Sequence, residues 1–263
     1  MTIRGGASKQ GRPPLWSYWI VLPSVLALWA LMSWLIRSPL LPSPSDVLGT
    51  LVREASSGDL WFHLSATLRR VIVAFVLAML LGVLIGLAMG RSIAINALFD
   101  PLLVLLLNLP ALVTIILMYV WFGLVESAAI MAVVINKVPS VAVTIREGAR
   151  SLDFRLEDMA TVYCFSGWQR FREVWVPQLF PYLMAATRGG LALIWKIVLV
   201  VELLGRSSGV GFQLQLAFQI FDVATILAYS LAFIAVVQLI ELVILQPLER
   251  RSNRWRKPEQ PHA

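Results

Sequence analysis

A chain of 263 residues with 59% hydrophobic and only 14% charged side chains does not have the make-up of a soluble domain, in which about a quarter of residues are charged; its mean hydropathy of +0.78 places it in the membrane class. The net charge of +7 does not point to nucleic acid, because the basic residues cluster in short loops between apolar runs, as they do on the cytoplasmic side of membrane proteins. A single cysteine, Cys164, excludes an intrachain disulfide, and two histidines as far apart as His63 and His262 offer no metal-ligand pair.

Six stretches reach the roughly 20 mostly apolar residues that a helix needs to cross the hydrocarbon core. In chain order they cover about 16–36, 71–90, 101–123, 128–145, 184–204 and 223–245. The expected fold is therefore all-α and polytopic, with one membrane domain over 16–248. Residues 1–15 form a short tail carrying Arg4, Lys9 and Arg12. The apolar run after it is too long for a cleaved leader and lacks an A-x-A site, so it reads as an uncleaved anchor helix. With both termini inside, 14 of the 22 Lys and Arg fall in inside segments, against 5 outside or at the outer mouth of the second helix. That bias predicts an N-in, C-in chain. Residues 249–263 are then a basic cytoplasmic tail near anionic headgroups.

Segment 37–68 opens Pro-rich, and the rest of it reads as a short helix on the outer face. The second membrane helix carries Gly82, Gly86 and Gly90. Glycines four apart share one face and mark a closely packed seam, and a partner helix in the same chain is expected. Segment 205–222 is only half polar and is expected to dip into the membrane.

The inside loop 153–177 is the most informative stretch. Asp153 has the form of an N-cap, and Ser166-x-x-Gln169 that of a capping box. The spacing predicts two short helices with a turn at 165–167. Tyr163, Phe165, Trp168, Phe171 and Trp175 give this loop more aromatic surface than lipid contact explains, so it reads as a docking surface for another protein.

Four charges, Lys137, Arg188, Lys196 and Glu202, lie within or near the ends of the expected helices. A charge at the bilayer centre costs at least about 2.5 kcal/mol and should face protein or water. Arg188, Trp195 and Glu202 recur every seven residues and share a helix face, with Lys196 one residue off it. Arg188 and Glu202 are separated by about 21 Å of helical rise and need separate partners. Two readings stand. In one, Asn108, Pro110, Asn136, Lys137, Arg188, Trp195, Lys196 and Glu202 line a path for an anion. In the other, Arg188 snorkels to the inner surface and Glu202 sits at the outer rim as structural groups. Pro110 and Pro139 interrupt helix hydrogen bonds, which suits a helix bending around a path and equally a plain kink.

The loop resembles the cytoplasmic motif of ABC importer permeases, E-A-A-x3-G-x9-I-x-L-P. Pro177 takes the place of its Pro, Val174 and Val176 of its I and L, Cys164 of its Gly, and Asp158-Met159-Ala160 of its E-A-A. Three letters depart beyond the conservative valines: Asp for Glu, Met for the first Ala, and Cys for Gly. Because that Gly supplies the turn in the family, Gly167 is expected to take over here. Pro42-Ser-Pro-Ser-Asp-Val-Leu48, Leu60-Trp-x-His-Leu64, Leu98-Phe-Asp-Pro-Leu-Leu103, Trp121-Phe-Gly-Leu124, Trp195 with Glu202, and Gly209-Val-Gly-Phe212 are similar to the nitrate/sulfonate/taurine branch. The resemblance covers about residues 40–250.

It implies a type I permease subunit in a bacterial inner membrane, paired with a second permease copy, a homodimer in the simplest case. It also implies separate ATPase subunits docked on the inside loop through Asp158, Met159, Ala160, Cys164, Gly167, Trp168, Phe171, Val174, Val176 and Pro177, with a periplasmic solute-binding protein delivering the ligand. The sequence contains no G-x-x-x-x-G-K-[ST] phosphate loop, so ATP and Mg²⁺ are expected on the partner ATPase and no cofactor on this chain. An ion-gradient-driven secondary transporter is the alternative; it wants carboxylates in midmembrane, and only Glu202 and Glu241 come near. No cluster of acid, base and nucleophile suggests an enzyme.

Overall fold

A computed structural model describes residues 15–247, so the tails expected at 1–15 and 249–263 lie outside the described residues apart from Leu15. Among the described residues, helices follow one another with no strand between them.

Helix α1 (Leu15–Ile36) is joined to α2 (Pro44–Ser57) through a Pro-rich turn. Trp29 Nε1 donates to the Pro42 carbonyl at 3.0 Å and Ser33 Oγ to the Leu41 carbonyl at 2.9 Å. Helix α2 is the short helix expected within 37–68, and it starts on a capping box between Ser43 and Asp46 with Pro44 in the first turn. The Ser43 hydroxyl and backbone N–H both donate to the Asp46 carboxylate and hold it below the usual carboxylate range.

Helix α3 (Asp59–Arg91) is 33 residues long, about 50 Å at the helical rise. It starts well before the expected residue 71, because its first three turns bury polar groups (His63, Thr67 and Arg70) that lower the hydropathy of that stretch. The single span expected over 101–123 is instead two helices, α4 (Ile93–Asn108) and α5 (Ala111–Phe122), bent by 99°. Pro110 has no N–H to continue the ladder, and the residue before it, Leu109, is extended (φ −71, ψ 126). Helix α6 (Glu126–Arg150) runs unbroken through Pro139. After α7 (Phe154–Val162) comes α8 (Gly167–Gly205), one 39-residue helix with a π-turn at Phe171–Trp175, where a span of 184–204 was expected. Helix α9 (Val210–Gln219) and α10 (Val223–Leu245) complete the described chain. Helices α3, α6, α8 and α10 are each long and apolar enough to cross a membrane, and α4 with α5 have the length and composition of either a broken span or a re-entrant pair.

The α3–α6 pair is the spine of the bundle. Ala74, Ala78, Gly82 and Gly86 form one buried stripe at four-residue spacing. A Cβ on Gly82 would lie 2.6 Å from Val141 Cβ, and one on Gly86 2.6 Å from the Ala142 carbonyl oxygen. The glycine seam therefore packs within the chain, as expected, and lets the two backbones meet. Around it, Val71, Ile115, Met118, Ile194, Trp195, Val198, Tyr229 and Phe233 close one apolar core from α3, α5, α8 and α10. Outward-facing Ile72, Val76, Leu80 and Leu84 of α3 are exposed, as suits a surface solvated by lipid.

Gly86→Ala should cost about 1–3 kcal/mol, since the intruding methyl meets rigid backbone. Gly189→Ala, where a Cβ meets nothing within 4 Å, should change stability by less than about 0.5 kcal/mol. Thermal unfolding of the two variants in the same detergent checks the contrast.

Candidate functional site

Polar groups gather at the two ends of the bundle. At one end lies the loop 153–177. Asp153 caps α7, its carboxylate accepting from Arg155 N at 2.8 Å. Ser166 and Gln169 form the reciprocal capping box that opens α8. Between the helices, Cys164 has φ +53. The left-handed residue thus sits at the motif's glycine position, while Gly167 is in the first turn of α8 and makes no turn. The expectation that Gly167 replaces the missing glycine is corrected: the five-residue return from Ala160 O to Phe165 N, 2.9 Å, fixes the turn one residue before the bond closes. A Cβ-bearing residue there carries about 1–2 kcal/mol of strain.

Of the other motif residues, Ala160 and Val174 are buried under the loop, whereas Asp158, Met159 and Pro177 are exposed and Val176 is half-buried. Trp168 stacks on Phe171 (centroids 5.8 Å apart), Phe171 meets Trp175 edge-on at 6.1 Å, and Trp168 remains 69% exposed beside exposed Tyr163 and Val162. This is an aromatic ledge presented outward by the first turns of α8, next to the end of the short α7.

At the other end is an ion network that sequence reading passed over. Arg70, counted as a charge at the helix mouth, is 2% exposed, and Glu202 is 0% exposed. Arg70 Nη1 donates to Glu202 Oε1 at 2.6 Å and to the Ser208 carbonyl at 2.7 Å. Its Nε and Nη2 donate to Glu126 at 2.8 and 3.1 Å. Arg206 joins Glu126 at 2.9 Å and donates to the Leu124 carbonyl at 2.6 Å. Arg69 also approaches Glu126, at 3.8 Å, so three guanidinium groups surround two carboxylates.

The start of α9 is built into the same network. The N–H groups of Gly209, Val210 and Gly211 donate to His63 Nδ1 (3.0 Å), Thr67 Oγ1 (2.8 Å) and Glu202 Oε2 (3.0 Å). Thr67 Oγ1 also lies 2.8 Å from Glu202 Oε2. Since His63 Nδ1 accepts, the neutral ring holds its proton on Nε2, which lies 2.7 Å from the Gln213 amide. Helix N-termini leave such N–H groups without intrahelical partners, and here side chains of α3 and α8 take them. Gly209, at φ +115, has the Glu202 carboxylate where a Cβ would stand. The sequence carried one signal for this: His63, Thr67, Arg70 and Ala74 share a helical face.

The residues read as a possible path are not brought to one place. Glu202 belongs to this network. Lys137 is buried between α6 and α8, where a Cβ on Gly190 would come 3.0 Å from its Cε; among the described residues its Nζ bonds only Ser140 Oγ, at 3.2 Å. The amides of Asn136 and Asn108 bond back to the Ala132 and Val104 carbonyls. Trp195 is buried edge-on to Phe233, while Lys196 and Pro110 are exposed. Arg188 is exposed and pairs with Glu241 of α10 at 3.5 Å. Arg188 and Glu202 thus have separate partners, as their spacing requires.

The family model of the binding-protein-dependent transport system inner membrane component matches residues 78–246. The chain belongs to that family. It is 33% identical to the putative aliphatic sulfonates transport permease protein SsuC of Escherichia coli, over 90% of each chain. It is 30% identical to the taurine transport system permease protein TauC of the same organism, over 86% of this chain and 84% of that one. The riboflavin transport system permease protein RibX of Chloroflexus aurantiacus is 35% identical, over 82% and 80%. Among solved structures, an amino acid ABC transporter chain superposes with a TM-score of 0.60 at 21% identity, covering 76% of this chain and 97% of that one. The MetNI methionine transporter gives 0.57 at 17%, covering 79% and 96%. This permease is thus a multi-pass membrane protein of the ABC importer type, in the sulfonate/taurine branch, and its fold is that of other ABC permeases.

Removing one partner of the buried network should cost the permease about 3–5 kcal/mol. Arg70→Met alone should therefore unfold at clearly lower temperature than Arg70→Met combined with Glu202→Met. Cys164→Gly should raise stability by about 0.5–1 kcal/mol by relieving the left-handed turn, read in the same thermal assay.

Proposed function

We propose that this permease forms, with a second copy of itself, the path of an ATP-driven importer in a bacterial inner membrane, and that separate ATPase subunits holding ATP and Mg²⁺ dock on 153–177. In this reading the chain crosses six times, N-in and C-in, with α1 as the first span and the aromatic ledge on the cytoplasmic side. A solute-binding protein delivers the ligand at the opposite face. The observation that carries it is the loop itself: one short capped helix, α7, followed by the capped start of the long α8, a left-handed residue at the motif's glycine position between them, and Trp168 left exposed. The ligand is a small anion of the sulfonate class. Its support is the relatives' substrates and the buried Lys137, whose bonding among the described residues includes no carboxylate. An ion-gradient mechanism finds less support, because Glu202 is already neutralised by Arg70.

Trp168→Glu and Phe171→Glu place charge in the ledge. Each should cut co-purification of the ATPase with the permease by at least about tenfold, a loss of 1.4 kcal/mol or more, while the permease itself elutes unchanged on size exclusion. An intact complex with both substitutions present would refute the docking assignment.

A further inference from the structure

Helix α3 touches both polar ends of the bundle. Its outer turns carry Thr67 and Arg70 into the ion network. Its last residue, Arg91, reaches the loop 153–177. Arg91 Nη2 lies 3.0 Å from Glu157 Oε1 on α7, and its guanidinium carbon sits 3.3 Å from the ring centroid of Trp175, in the π-turn of α8. One planar cation therefore joins three elements.

The chemistry suits a joint. A guanidinium lies face-on over an indole while its edge still pairs with a carboxylate. A cation is also favoured at the C-terminal end of a helix, where the last carbonyls are unpaired. Beside it, an open cavity of about 460 Å³ is lined by Gly90, Arg91, Ala149, Arg150, Leu152 and Glu157. Helix α7 is thus not packed flush against the ends of α3 and α6 there, and Arg91 spans the gap. The glycine seam holds α3 closely against α6, and Arg91 and Arg70 lie on the same continuous helix.

We infer that Arg91 is the positioning residue through which movement of the docking loop is passed to α3 and so to the outer ion network. The inference rests on the proposed ATPase docking and adds the route by which that docking acts. In this role Arg91 acts through Glu157 and Trp175.

The test follows the outer end of α3 while ATP is bound at the other. Ser65, exposed near that end, is replaced by Cys in a Cys164→Gly background and spin-labelled in both copies. The permease–ATPase complex in nanodiscs is compared without nucleotide and trapped with ATP and vanadate. The background should show an ATP-dependent change in the label–label distance. R91A should keep its ATPase and hydrolyse ATP within about twofold of the background, yet populate the ATP-dependent distance about tenfold less, the size of an ordinary allosteric coupling. R91K, which keeps the charge and loses the planar fork, should fall between. A full distance change in R91A overturns the inference, and so does loss of the ATPase from R91A, which would make Arg91 a docking residue. If R91A does not fold, a full change in R91K overturns it. A background complex that retains its ATPase and shows no ATP-dependent change overturns this route alone, whereas a background that never binds an ATPase overturns the function reading and the route together.

Discussion

The buried pairing of Arg70 with Glu202 is the constraint around which one end of this protein is arranged. A guanidinium and a carboxylate taken out of water are tolerated only when each has its remaining hydrogen bonds made. Glu202 reaches that state with Arg70, Thr67 and the Gly211 N–H. Arg70 reaches it with Glu202, Glu126 and Ser208. Meeting those demands brings α3, α6, α8 and the segment before α9 to one point. It also explains Gly209: no side chain fits where the carboxylate stands. Tyr119, whose hydroxyl donates to the Val201 carbonyl at 2.8 Å, fastens α5 to the same turn of α8.

The glycine seam meets a different demand. Between membrane helices lipid competes with every apolar contact, so close backbone approach and van der Waals fit must supply the cohesion. Ala74, Ala78, Gly82 and Gly86 provide it against α6. Toward the other end of the bundle Arg146 binds Asp100 and fixes α4 to α6. The outcome is a closely packed centre with attachments made through side chains. The bent α4–α5 pair and the loop 153–177 hang on it through side-chain contacts, which are the places where a two-state transition costs least.

Cys164 shows the same economy within the loop. The left-handed turn is demanded by the return of the chain after α7, and the loop keeps it although the residue there bears a Cβ. Gly167 meanwhile serves the first turn of α8, where Ser166 and Gln169 already satisfy the helix start. A glycine nearby does not substitute for one at the turn, because the turn's position is set by the bond from Phe165 N to Ala160 O.

By itself the sequence determined the all-helical membrane class, the short helix in 37–68, the intrachain glycine seam, the two caps of the loop and the need of Arg188 and Glu202 for separate partners. Each of these follows from local composition or from spacing along one helix. Only the tertiary structure decided that Arg70 is a core residue, that 101–123 is two helices, that α8 is continuous from Gly167, and that Arg91, Glu157 and Trp175 meet. A hydropathy window scores Arg70 as a loop charge because it cannot see the carboxylate 132 positions away that neutralises it. Partners distant in sequence decide whether a charge is solvated or buried, and the fold alone brings them together.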